Sequence, residues 1–216
     1  MNYEELSNNK VALSGQIVEP PRFSHEIYGE GFFEFKLSVL RLSTQADIIP
    51  ITVSERLMRE TPIVVGNHIA VTGQFRSYNK LTANHSRLML TVFARTIGEY
   101  DEELNPNVIE LDGYICKPPM YRTTPFKREI CDILLAVNRA YNKSDYIPCI
   151  AWGRNARYVN TLVVGEHITL LGRIQSRQYN KTLEDGSQEV RTAYEVSVSR
   201  LTAGVEEHEL SMVGNA

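Results

Sequence analysis

Apolar and polar residues alternate over much of this chain. Val11, Leu13 and Ile17 are separated by polar residues or Gly15, and Phe33, Phe35, Leu37 and Val39 alternate with Glu34, Lys36 and Ser38. The same rhythm returns in Ile109, Leu111 and Ile115, and again in Ile133, Leu135 and Val137. A period of two puts the apolar side chains on one face, as expected of strands buried on one side. Helical character is confined to SERLMRETPIV (54–64) and GRNARYVNTLV (153–163), each after a third strand. Two long strands complete each half, so the predicted order is β-β-β-α-β-β, twice.

The halves are copies. A shift of 98 positions carries Asn9, Leu13, Gly15, Ile17, Pro20 and Pro21 onto Asn107, Leu111, Gly113, Ile115, Pro118 and Pro119. Leu37, Val39 and Arg41 fall on Leu135, Val137 and Arg139, and Asp47, Ile49 and Pro50 on Asp145, Ile147 and Pro148. After one further residue, VGNHIAVTGQFRS (65–77) matches VGEHITLLGRIQS (164–176). A register held that long marks a duplicated domain. The predicted organisation is a first domain over 8–98, an acidic linker over 99–106, a second domain over 107–203 and a short acidic tail over 204–216. Five strands with a helix between the third and fourth, in under 100 residues, fit the OB fold, a five-stranded Greek-key barrel. The fold class is therefore all-β, with two tandem OB folds whose closure removes exposed sheet edges.

Charge separates the copies. The chain has 23 basic and 26 acidic residues, giving a net charge of −3, but residues 1–104 hold 10 basic and 13 acidic side chains while residues 105–204 hold 13 and 10. Glu206, Glu207 and Glu209 follow in the tail. The second copy thus has the basic excess that phosphate binding requires. Cys116, Cys131 and Cys149 lie in apolar surroundings without C-x-x-C spacing and are expected to be reduced core residues of a cytoplasmic protein. No signal segment or apolar run of membrane-spanning length is present, which again points to the cytoplasm.

Strand parity selects candidate chemistry. In DYIPCIAW (145–152), Tyr146, Pro148, Ile150 and Trp152 share one face, and Ile147, Cys149 and Ala151 share the other, whose small apolar residues suit a barrel interior. In GRIQSRQYNK (172–181), Arg173, Gln175, Arg177 and Tyr179 share a face. Rings flanked by arginines on an outer sheet face are what stacking of unpaired bases beside a phosphate track requires. The first copy has Ile48, Pro50, Thr52 and Ser54 where the second has Tyr146, Pro148, Ile150 and Trp152. It keeps Gln74, Arg76 and Tyr78 on its fourth strand, with Arg22, Phe23 and Tyr28 nearby in the first two, so it is expected to be the weaker site.

The stretches LAVNRAYNKSDYIPCIAWGRNARYV and GEHITLLGRIQSRQY resemble the bacterial single-stranded DNA-binding protein family, as does the opening NVIELDGYICKPPMYRTTP. The likeness covers most of residues 107–200, and the first copy follows it more loosely. It implies that Tyr146, Trp152 and Tyr179 stack on bases. Arg122, Arg139, Arg154, Arg173, Arg177, Lys127, Lys143 and Lys181 are the candidate phosphate contacts, with Arg139 also placed to pair with a carboxylate at the barrel rim. It further implies a homodimer, since the family usually acts as four barrels. Recruitment of replication or repair proteins is not expected, because LTAGVEEHELSMVGNA lacks the family's acidic, hydrophobic tip.

The competing classes are an enzyme and a replication-restart type protein-interaction module. Phosphate-loop, zinc-protease and nucleophile-elbow motifs are missing, so no catalytic residues, cofactor or metal are expected. Neither a recognition-helix pattern nor an RNA-binding signature is present, which points to single-stranded rather than duplex DNA or RNA.

Overall fold

A computed structural model describes residues 8–41, 43, 45–81, 86–100, 106–182 and 186–204. Most of the acidic linker and nearly all of the tail lie outside the described residues.

The first copy comprises β1 (Asn9–Ile27), β2 (Glu30–Leu40), β3 (Ala46–Ser54), α1 (Glu55–Glu60), β4 (His68–Leu81) and β5 (Ser86–Glu99). β1 pairs with β2 and β2 with β3, β3 runs parallel to β5, and β5 returns through β4 to β1, closing a five-stranded barrel. The second comprises β6 (Asn107–Ile115), β7 (Met120–Thr123), β8 (Glu129–Arg139), β9 (Lys143–Trp152), α2 (Arg154–Val159), β10 (His167–Thr182) and β11 (Gln188–Ala203). It closes in the same order through β6, β8, β9, β11 and β10. This is the OB topology in both copies.

The alternating residues point inward as expected. Leu37, Val39, Ile49, Ile51, Val71 and Phe75 are fully buried in the first barrel, and Leu135, Val137, Ile147, Ala151, Ile168 and Ile174 in the second. Burying each large apolar side chain contributes about 1.5–3 kcal/mol. Inside each barrel an asparagine at the start of the first strand clamps the middle of the fourth. Asn9 accepts from the Phe75 N–H and donates to its carbonyl at 2.8 Å each, and Asn107 does the same to Ile174 at 2.8 and 2.7 Å. Each fifth strand bulges opposite Gly73 or Gly172, with Arg95 and Ser199 as the extra residues. A Cβ at either glycine would strike the carbonyl oxygen of Phe93 or Ser197, so neither position tolerates a side chain.

Three details depart from expectation. The helices are shorter than the segments that predicted them; α1 ends at Thr61, whose extended backbone suits the following Pro62. In the first barrel β1 continues unbroken into a long hairpin, whereas Lys117, Pro118 and Pro119 interrupt the second, where the separate strand β7 replaces that continuation. Cys131 and Cys149 are core residues with thiols pushed up by burial, Cys131 to about 11. Cys116 is only half-buried, with its Sγ 3.2 Å from the Leu134 carbonyl.

The barrels form one continuous sheet through the antiparallel pair β1–β6, centred on Val11 opposite Ile109. These two residues are equivalent under the sequence repeat, so a local two-fold axis passes between them. The Ser14 N–H donates to the Pro106 carbonyl and the Asp112 N–H to the Asn8 carbonyl, each at 2.8 Å, completing the symmetric seam.

Candidate nucleic-acid interface

The local dyad brings the third strand of each barrel against the fourth strand of the other. Asp47 and Asp145, both fully buried, open β3 and β9 and accept the N–H groups of Ser176 and Ser77 at 2.7 Å. Each serine hydroxyl accepts in return from the next residue of the acidic strand, Ser176 from Ile48 at 3.1 Å and Ser77 from Tyr146 at 2.7 Å. Buried carboxylates require such partners, because an unpaired charge away from water is strongly disfavoured.

The two clasps differ in their cations. Arg41 grips Asp47 in a two-pronged contact at 2.6 and 2.8 Å, which raises the pKa of its guanidinium, and Arg173 adds a third contact at 3.3 Å. Asp145 lies 3.6 Å from Arg139 and 3.9 Å from Arg76, and its Oδ2 has no hydrogen-bond partner among the described residues. Burial therefore pushes the Asp145 carboxyl above its ordinary value. Burial, followed by repulsion from Arg139, lowers Arg76 to about 10. Arg173 is also lowered, by burial and then by Arg41.

Around the Asp47 clasp lies an open groove of about 550 Å³. The second barrel supplies Trp152, Arg173, Gln175, Arg177, Gln178, Ser197 and Arg128; the first reaches across with Arg41 and Gln45. The Trp152 indole N–H donates to the Ser197 hydroxyl at 3.1 Å, which anchors the ring edge of this half-buried side chain. Further along β10, the Arg177 guanidinium lies 5.8 Å over the Tyr179 ring. The planar side chains and cations of this groove suit bases and phosphates respectively.

Parity therefore identified the groove face of β10, and it also placed Tyr146 outside, 46 % exposed, with Ile147, Cys149 and Ala151 inside. Ile150 shares the outer face yet is 5 % exposed, which leaves little of it for a ligand to touch. The other candidates scatter. Arg122 is bound to Asp132 at 2.6 and 3.1 Å on the β7–β8 ribbon. Lys127 sits exposed in the following turn, and Arg154 is exposed at the start of α2. Lys181 is half-buried far along the β10–β11 hairpin, opposite Glu189. Arg139 lies beside Arg76 of the first barrel's fourth strand, both near Asp145, and its cross-strand neighbour Lys143 is exposed. Tyr78 is 42 % exposed and donates to Glu34 at 3.3 Å, and Arg22 is exposed on β1.

Sequence reasoning missed Arg41, Gln45 and Arg128 as groove residues. Arg41 was visible as the repeat equivalent of Arg139, but its crossing to the other barrel depends on the dyad, which no strand pattern encodes.

Residues 106–203 match the model of the single-strand binding protein family. Over 80 residues the chain is 38 % identical to "Single-stranded DNA-binding protein 1" of Staphylococcus aureus, a match covering 34 % of this chain and 48 % of that protein. It is 35 % identical over 80 residues to a single-stranded DNA-binding protein of Bacillus cereus, covering 34 % and 47 % of the respective chains. The chain spans about half the length of the curated relatives it matches. The wild-type single-stranded DNA binding protein from Thermus aquaticus shares the two-barrel fold, with a TM-score of 0.71 over 91 % of this chain and 93 % of that one at 18 % identity. The second barrel, residues 106–203, thus matches the single-strand binding protein family, and the shared architecture extends the two-barrel fold over both halves of the chain.

Proposed function

We propose that this chain binds single-stranded DNA with little sequence preference, by base stacking and phosphate contacts, and so protects it during replication, recombination or repair. The observation that carries this reading is the groove in which Trp152 stands beside Arg173 and Arg177, with Arg41 entering from the other barrel. Every base has a face to stack, so such a surface is tolerant of sequence, and cations on flexible stems follow a backbone wherever it runs. The matched relatives are named as single-stranded DNA-binding proteins, which supports the same reading.

Tyr146, Trp152 and Tyr179 are the stacking residues, and Arg173 and Arg177 the principal phosphate contacts. The chain acts as a binding protein rather than an enzyme, with barrels over residues 8–98 and 107–203. Two chains pair to present four barrels, which sedimentation of the intact chain would test. No described helix is long and apolar enough to cross a membrane, and the chain is proposed to work in the cytoplasm with the nucleoid.

The test is anisotropy of labelled oligo-dT against a duplex of equal length, between about 50 and 200 mM salt. Tighter binding of the single strand, with log affinity falling linearly against log salt, is expected. Equal affinity for the duplex, or no salt dependence, would overturn the reading.

A further inference from the structure

The local two-fold axis gives the Trp152 groove a mate on the first barrel, and its aromatic content differs from what the repeat suggested. Ser54 replaces Trp152 there, so the ring at that position is lost. The ring reappears one strand away. Phe93 pairs with Thr52 and Gln74, just as Ser197 pairs with Ile150 and Arg173. Phe93 thus occupies the place of the serine that holds the Trp152 indole.

Phe93 does not stand alone. Its centroid lies 5.5 Å from that of Phe32, which faces Ser54 across β2 and β3. On Phe32 lies the His25 imidazole, nearly parallel at 12° and 5.0 Å. The guanidiniums of Arg76 and Arg95 stand over Phe93 at 5.5 and 5.8 Å. Phe32 and Phe93 are half-buried, while His25 and Arg95 are exposed. The Asp145 clasp brings Arg139 of the second barrel beside Arg76, as the Asp47 clasp brings Arg41 beside Arg173.

We infer that the first barrel carries its own nucleobase-stacking surface, with Phe32 and Phe93 as the rings, and that a single strand binds there with Arg76 and Arg95 on its phosphates. The occupant is chosen by the chemistry. Phe32 already stacks a planar heteroaromatic ring in the offset-parallel manner of a base. Guanidiniums resting on an aromatic face can turn outward to phosphate and leave that face to a base. The aromatic function has moved from β3 to β5, which is why comparison of third strands alone missed it.

This inference rests on the single-strand reading above, and photocrosslinking of the unmodified chain to halogenated-uracil single strands separates the two. Crosslinks in peptides holding Phe32 or Phe93, alongside those at Trp152 or Tyr179, are expected. Crosslinks confined to the second barrel would overturn the first-barrel surface while leaving the function intact; no crosslink and no affinity anywhere would overturn both. Affinity provides the second measurement. In a Trp152→Ala background, Phe93→Leu keeps apolar volume but removes the ring, and should weaken oligo-dT binding a further fivefold or more, roughly, while Phe93→Tyr should not. An unchanged affinity in the Leu variant, with an unchanged melting curve, would refute the inference.

Discussion

The two grooves share a backbone frame and differ in where their chemistry stands. Around Asp47, the second barrel offers Trp152 on its third strand and a serine on its fifth; around Asp145, the first offers Ser54 and Phe93 in those places. Both clasps keep the aspartate and the serine of the opposing strand, because a buried carboxylate with an uncompensated charge would destabilise the junction. The outer faces carry no such constraint and have diverged. The comparison also shows that neither groove belongs to one barrel, since Arg41, just after β2, and Arg139, the last residue of β8, each stand beside an arginine of the other barrel.

The largest expected difference is between the clasps. Asp47→Asn strips the charge that neutralises Arg41 and Arg173, and should destabilise the chain by about 3 kcal/mol, at the low end for a broken buried pair because the Arg41 side chain is 24 % exposed. For a chain of this size that lowers Tm by roughly 6–12 °C in a thermal melt. Asp145→Asn removes only longer contacts and should lower stability by about 1 kcal/mol or less. Equal losses would mean that the cation geometry does not distinguish the two junctions.

Next comes affinity for single strands. Trp152→Leu should weaken oligo-dT binding roughly 5- to 150-fold, the value of one stacked base. Tyr78→Leu, on a ring tied to Glu34, should change it by less than about threefold. Equivalent losses in anisotropy titrations would remove the proposed division between the barrels. A smaller effect is expected for Arg177→Gln, which should flatten the slope of log affinity against log salt by about 0.7, one phosphate contact on a single strand. The same change at Arg122, held by Asp132, should leave the slope alone.

The smallest expected effect is in pH. The folded Asp145 carboxyl sits above its ordinary value, so the folded chain takes up that proton before the unfolded chain does. The strain of burying the charge is present above the folded value and is relieved as the pH falls through it, until the unfolded chain protonates as well. Melting curves of the parent chain and of Asp145→Asn should therefore move further apart in the parent's favour on acidification. A gap that narrows as the pH falls would contradict the direction.

Much of this was legible in the residues. Alternation located the strands because a period of two is enforced by burial on one side, and the register of the repeat located the second barrel and paired Asn9 with Asn107, although not their clamping role. Parity found Trp152, Arg173 and Arg177 because inside and outside of a barrel wall are decided one strand at a time. The same reasoning stopped at the barrel edge. That Arg41 crosses to Trp152, that Arg139 stands beside Arg76, and that Phe32, Phe93 and His25 meet on three strands all depend on pairings between distant segments. A residue-by-residue overlay of the copies also read Ser54 as the loss of a ring, when the neighbouring strand had supplied another.

Because Trp152 is the only tryptophan in the chain, its emission reports on the second barrel's groove without any label. Titration with oligo-dT at low salt should quench it to saturation, and added salt should restore it. Unchanged emission, together with no retention of the chain on immobilised single-stranded DNA, would contradict the account.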